Sequence, residues 1–319
     1  MPSSPRSLAA ALVLLAAASA ARAQAPSLDS LTQRLGAMSA VTGLEDRMAD
    51  SLLALLPGAR RDRAGNVVLA RGNGEPVRVA ACPMDEVGYV VGAINAAGYL
   101  TIRRVGSTPV GALYDQFLEG QRVTLFGRRG AVPGVVGVRS THLTRGRTAG
   151  DEPPFILDNA YVDVGATNAQ EVASLGLEVL SPLTRAKRVH RYGPQESLVA
   201  GPWIAQRAAC AALASAALRA APGAGTTVVA FTARRHLAHD GTQFLQITWP
   251  GAELLLVGGA APSAEPGSGP VAGTEPVAGR QLTAWTLPAR YARTPVETVA
   301  MSDVAALEQR LAAWLGGAR

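Results

Sequence analysis

Lysine is almost missing from this chain: of its 30 basic residues only Lys187 is a lysine, and the rest are arginine. Aromatic residues are also scarce, at 5%. The arginines are scattered and have no aromatics between them, so the basic, aromatic-studded stripe that nucleic-acid binding uses is not there. Histidine occurs only at His142, His190, His236 and His239. Cysteine occurs twice, at Cys82 and Cys210, which is too few for a disulfide-dense scaffold. Both sit in apolar stretches, so a single disulfide and two buried thiols are both open. No Gly-x-Ser-x-Gly elbow and no phosphate-binding Walker loop occur, which removes the usual sequence signals for a serine hydrolase or a P-loop enzyme.

What is present is apolar: 48% of 319 residues are hydrophobic, enough for a full-sized core. Residues 1–23 stand apart. Arg6 supplies a positive start, Leu8 to Ala18 a short apolar run, and Ala21-Arg22-Ala23 a small-x-small cleavage signal. The run is shorter than the ~20 residues of a spanning helix, so a secretory signal peptide is expected, with the mature chain exported to a periplasm or secreted. No later stretch predicts a membrane span, and no cysteine stands at the cleavage point to carry a lipid. Loss of Arg6 and Arg22 lowers the formal charge from +6 to +4, a mild value.

Leu28 to Leu56 has helical spacing broken at Val41-Thr42-Gly43, which predicts two amphipathic helices joined by a glycine turn. "GNVVLARG" and "PVRVAACP" then read as neighbouring strands. From Gly88 to about Arg188 short β-prone runs alternate with glycines, the pattern of a compact barrel or sandwich. "NAQEVASLG" within it predicts a short helix with an Asn cap and a Gly stop. Pro202 to Ala221 predicts a long alanine-rich helix, "GTTVVAFTA" and "AELLLVGG" two strands, and Asp303 to Leu315 a final helix. The expected fold is α/β: a domain formed by 24–86 and 196–319, interrupted by an inserted β domain at 87–195. Residues 259–279, rich in Gly, Pro and Ala, read as a flexible connection.

Six stretches in order, "VTGLED", "DRAGNVVL", "MDEVGYVV", "GQRVTLFGRRGAVPGVVGVRSTHL", "YVDVGATNAQEVASLGLEVLSPLT" and "PARYARTPVETV", resemble the dinuclear-metal aminopeptidases: the tetrahedral, glutamyl and deblocking enzymes. The resemblance covers most of the mature chain. It implies an α/β sandwich with an inserted barrel-like domain used for dimerisation, often within dodecamers. It also implies two divalent metals, zinc or cobalt, held by imidazoles and carboxylates, with a carboxylate base. Beside that family the flexible connection at 259–279 is a shortened one.

Carried over position by position, the resemblance puts Pro83 where the family has a liganding histidine, and Asp85 where it has the aspartate that orients that histidine. "IAQR" falls on the family's Leu-Asp-Asp-Arg, placing Ala205 at the bridging aspartate and keeping Arg207. The Glu-Glu pair of base and ligand falls on Arg234 and Arg235. The remaining ligands fall near Gly258 and on Arg293. A metal ligand must offer a lone pair, and a guanidinium, a proline ring or a methyl group does not.

No metal cofactor and no catalytic base are therefore expected, and the chain reads as an inactive homologue with a binding or assembly role, joined in homo-oligomers through the insert. Asp85, Arg234, Arg235 and Arg293 form a candidate anion or ion-pair pocket, with a peptide or anionic ligand. The alternative is an active two-metal aminopeptidase with substitute ligands drawn from His236, His239, Asp85 or Glu86. His236, His239 and Asp240 form a relocated metal site in that reading, electrostatically costly beside two guanidiniums. Without ligation those histidines read as a solvated helix start. Adjacent on a strand, Asp85 and Glu86 face opposite ways and are expected to serve structure.

Overall fold

The computed structural model describes residues 25–107, 110–111, 113–137, 155–220 and 223–317. The expected signal peptide, 1–23, lies outside them. Among the described residues no helix is long and apolar enough to cross a membrane.

Two N-terminal helices, α1 (Leu28–Gly36) and α2 (Asp46–Leu55), flank the expected turn. Ser27 caps α1 by accepting from the Ser30 amide, and Gly43 makes the turn at φ +83°. Strands β1 (Arg60–Arg61), β2 (Val67–Gly72) and β3 (Val77–Pro83) follow. The chain then leaves for β4 (Gly88–Ile94), β5 (Leu100–Val105), β6 (Arg122–Gly127), β7 (Gly130–Val136) and β8 (Tyr161–Asp163). After α3 (Ala169–Ser174) and β9 (Pro182–Arg185), these strands close as a barrel in the order β4-β5-β8-β7-β6-β9. Its core holds Tyr89, Val91, Leu100, Ile102, Leu125, Val162 and Leu183. Asn168 caps α3 through the Glu171 amide and Gly176 follows at φ +83°, as the sequence predicts.

The return begins earlier than residue 195. Strand β10 (His190–Tyr192) pairs with β11 (Leu198–Ala200), which pairs with β16 (Thr298–Ala300), so the chain is back beside the α/β part by residue 190. Next come α4 (Ile204–Arg219), β12 (Thr226–Thr232), α5 (Arg235–Ala238) and α6 (Asp240–Thr248). They are followed by β13 (Glu253–Ala261), β14 (Val271–Val277), β15 (Arg280–Pro288), β16 and α7 (Met301–Leu315). The main sheet has the order β1-β2-β12-β3-β13-β15-β14, with β12, β3, β13 and β15 parallel. Helix α4 is buried continuously from Ile204 to Ala217, and its alanines let β3, β13, α1 and α7 pack close around it.

The expected flexible connection at 259–279 is instead two strand segments, 259–261 and 271–277, joined by a pinned loop. β13 runs through Gly258 and Gly259 to Ala261, and β14 joins β15 in an antiparallel hairpin over Ala278 and Gly279, both at positive φ. A two-residue turn of this hand matches the twist of a hairpin. The loop before it is pinned by buried Asp303, which accepts from the Gly267 and Gly269 amides at 2.7 and 2.9 Å. The polar, glycine-rich composition belongs to an edge strand rather than to a mobile linker.

Candidate functional site

The parallel strands β3, β12, β13 and β15 all end on one side of the sheet, the side where open α/β sheets bind ligands. A cavity of about 410 Å³ opens there, with Trp203, Gln206, Arg235, His236, His239, Gly258, Glu275, Arg293 and Glu297 in its wall. Gly258 sits at a bulge in β13 with φ +118°, and a Cβ there would lie 3.4 Å from Cys82 Sγ and 3.9 Å from Pro83 Cδ. The positions carried over from the resemblance thus lie near one another: Gly258, Arg235 and Arg293 line the cavity, and Pro83 packs behind Gly258. Ala205 is tied in through its amide, which donates to Glu297 Oε1 at 2.9 Å.

Non-glycine residues in the left-handed region cluster at this cavity. Trp203, His239 and Arg293 line it with φ near +60°, and Arg234 and Tyr291 adjoin it in the same conformation. Each costs about 1–3 kcal/mol unless its surroundings hold it, and such strain concentrates at functional sites.

The four residues of the expected anion pocket are not brought together. Arg235 and Arg293 line the cavity, but Arg234 turns away: its Nη2 donates to Ala64 O at 3.0 Å and its Nε lies 3.1 Å from Asp240 Oδ2. Asp85 is fully buried behind the wall and accepts from the His236 amide at 3.0 Å. Nor do His236, His239 and Asp240 form a group, because Asp240 is engaged with Arg234 on the far side of α5. His236 is not on a solvated helix start either. It is 1% exposed, its ring packs 5.0 Å from Trp203, and burial pushes its pKa down to about 4, so it is neutral at pH 7. His239 is also lowered, by burial first and then by Arg235.

Several residues that matter were not singled out by their types. Gln206 bridges Pro83 and the wall, donating from Nε2 to Pro83 O and accepting from Arg235 Nη1 at 3.2 Å. Glu297 is 2% exposed and accepts from the Ala205 and Arg293 amides; burial holds its carboxyl above the usual range. Glu275, on β14, accepts from Arg235 Nε and Nη2 at 3.1 and 2.6 Å. The Arg235 guanidinium thus has its counter-charge in Glu275, whereas Glu297 meets Arg293 through the backbone amide.

Two further features brace the site. Cys82 and Cys210 form a disulfide between β3 and α4, with both sulfurs fully buried, which settles the choice the sequence leaves open. Glu86 faces away from Asp85 into a second network. Its Oε2 pairs with Lys187, and its Oε1 accepts from the Ala40 amide at 3.0 Å and lies 3.5 Å from Arg207 Nη2. Burial pushes the Glu86 carboxyl up, but Lys187 and Arg207 outweigh it and hold it below its ordinary value. Burial likewise pushes Lys187 down to about 8 against the pull of Glu86.

The side chains at the carried-over positions do not fit a pair of divalent metals. Pro83, Ala205 and Gly258 offer no donor, and Arg235 and Arg293 would oppose the metal's charge. Among the described residues no group of three or more His, Cys, Asp or Glu side chains is placed to hold one.

Residues 65–269 match the sequence profile of the M42 glutamyl aminopeptidase family. A lysyl aminopeptidase of Pyrococcus furiosus is 31% identical over 138 residues, 43% of this chain and 38% of that one. A glutamyl aminopeptidase of Lactococcus lactis is 39% identical over 103 residues, 32% of this chain and 27% of that one. The chain spans about half the length, or less, of the curated relatives it matches, from 27% to 51%. The Pyrococcus horikoshii TET1 peptidase shares the fold with a TM-score of 0.79 and 19% identity, over 91% of this chain and all of that one. An aminopeptidase from Desulfurococcus kamchatkensis superposes at 0.75 with 19% identity, over 90% and 94% of the two chains.

Proposed function

Because the chain belongs to the M42 glutamyl aminopeptidase family, and because its cavity wall carries arginine where the resemblance puts metal ligands, we propose that it is a non-hydrolytic member that binds rather than cleaves. The observation that carries this reading is Arg235. Its guanidinium, fixed between Glu275 and Gln206, occupies the wall at a carried-over ligand position. Fold alone does not confer activity once the reacting groups are gone. Here neither a metal donor set nor a carboxylate in the base position supports hydrolysis, whereas a strained, arginine-bearing cavity supports binding.

Export fits the leader-like residues 1–23 and the disulfide, since such bonds persist in oxidising compartments. The TET1 peptidase of Pyrococcus horikoshii assembles into a tetrahedron or an octahedral shell. By analogy we expect this chain to form at least a dimer through its barrel. Light scattering at micromolar concentration should report that dimer, and a monomer alone would count against it.

The decisive measurement is metal content together with turnover. Purified protein should hold no stoichiometric zinc, cobalt or manganese and should not hydrolyse leucyl- or glutamyl-anilides with any of the three added. Zinc should leave the thermal midpoint unmoved. Arg234→Glu/Arg235→Glu should not restore hydrolysis, because Pro83, Ala205 and Arg293 still provide no ligand. Near-stoichiometric metal accompanied by anilide cleavage would favour the active reading instead.

A further inference from the structure

Arg235 is held from one side and only capped from the other. On the buried side its Nη1 donates to Gln206 Oε1, and Gln206 is 1% exposed and fastened to Pro83 O. The opposite edge, Nε and Nη2, meets Glu275, but both donors converge on the single oxygen Oε1, at 3.1 and 2.6 Å. A guanidinium edge offers two parallel N–H groups that match two oxygens of a carboxylate or phosphate. One oxygen taking both leaves that match incomplete.

Glu275 is also the partner best able to leave. It sits on β14, the outermost strand of the main sheet, beside exposed Ala272, Gly273, Thr274 and Pro276. Both side chains of the pair are 20% exposed, so each keeps some contact with water when the two separate. His239 Nδ1, 3.9 Å from the same oxygen, is too far to hold it by a hydrogen bond. Trp203, Leu237, Ala260 and Pro262 add an apolar wall beside the guanidinium.

We propose that the Nε/Nη2 edge of Arg235 is an anion-binding site that Glu275 fills from within the chain. Its ligand is a small organic molecule bearing a carboxylate or a phosphate group. This rests on the non-hydrolytic binding role above and names what that role takes. The ligand's oxyanion replaces Glu275 on the arginine, its body lies against the apolar wall, and the 410 Å³ of the cavity suits a compact molecule.

Calorimetric titration at low ionic strength tests this with two probes, inorganic phosphate and 3-phenylpropionate. Glu275→Gln removes the internal competitor while keeping its size, and at least one probe should then bind tenfold or more tighter than to the unmodified protein. In that background Arg235→Gln should abolish binding. Arg235→Lys, which keeps the charge but loses the two-donor edge, should weaken it at least tenfold. Should the glutamine variant fail to fold, the lysine variant decides. Tightening for phosphate alone assigns a phosphorylated ligand, and for 3-phenylpropionate alone a carboxylate; both outcomes support the site. Unchanged affinity in Glu275→Gln, or undiminished binding in Arg235→Lys, overturns it. Anilide hydrolysis assayed on the same preparations keeps the readings apart, since turnover would overturn the non-hydrolytic role whether or not the anion binds.

Discussion

Cys82→Ala/Cys210→Ala is expected to lower stability by about 5 kcal/mol. The bond joins residues 128 apart, and the loop it closes contains the whole barrel from Gly88 to Arg185. Cross-linking so long a loop removes much of the freedom of the unfolded chain. For a domain of this size the loss corresponds to roughly 10 °C or more in midpoint. Both sulfurs are fully buried, so a mild reductant should leave the folded protein intact and act only once it has been opened. Urea melts of the unmodified and double-alanine proteins, with and without reductant, measure this. A difference under about 1 kcal/mol would show that the unfolded chain is already as compact as the cross-link makes it.

Glu86→Gln should cost about 3–5 kcal/mol, because it leaves Lys187 and Arg207 side by side, buried, without their anion. The pH dependence separates this from lost packing. Glu86 has a depressed folded pKa, so its contribution is present above its unfolded value of 4.5 and disappears as pH falls through the folded one. The gap between the two proteins should therefore be wide at pH 7 and shrink in acid. Lys187 adds a rise of the same sign at higher pH. With its pKa near 8 in the fold and 10.5 unfolded, the unfolded chain binds more protons between those values, and this residue makes stability rise with pH there. Removing Glu86 takes away the pull that keeps Lys187 protonated and should move the start of that rise to lower pH. Adding Lys187→Met should recover part of the loss. Urea midpoints from pH 9 down into acid well below 4.5 measure this, and a pH-independent gap would contradict the ionic account.

The architecture was legible because its signals are local and repeated. Alternating apolar residues with glycine turns announced the barrel strands, Asn168 and Gly176 bracketed their helix, and the alanine run of α4 could only be a buried helix. Residues 259–279 were misread because an edge strand with one solvated face has the composition of a linker. Only the pairing of Thr274 with Thr283 and of Glu275 with Leu282 shows that it is a strand. The Ala278-Gly279 turn was the one available hint. That error hid Glu275, and with it the counter-charge of Arg235. The direction of Arg234 was beyond sequence reading for a different reason. Adjacent arginines at a helix start look equivalent until the left-handed backbone at Arg234 sends one guanidinium outward and the other into the cavity.

Glu86 and Lys187 stand at the two crossings between the α/β body and the barrel, and their side chains touch. An excursion of about one hundred residues therefore leaves and returns through the same point, and none of its strands belongs to the main sheet. Joining residue 86 to residue 187 by a short linker would leave the order β1-β2-β12-β3-β13-β15-β14 unchanged. In connectivity the barrel is a graft, joined to its stock at one node where Glu86 and Lys187 meet.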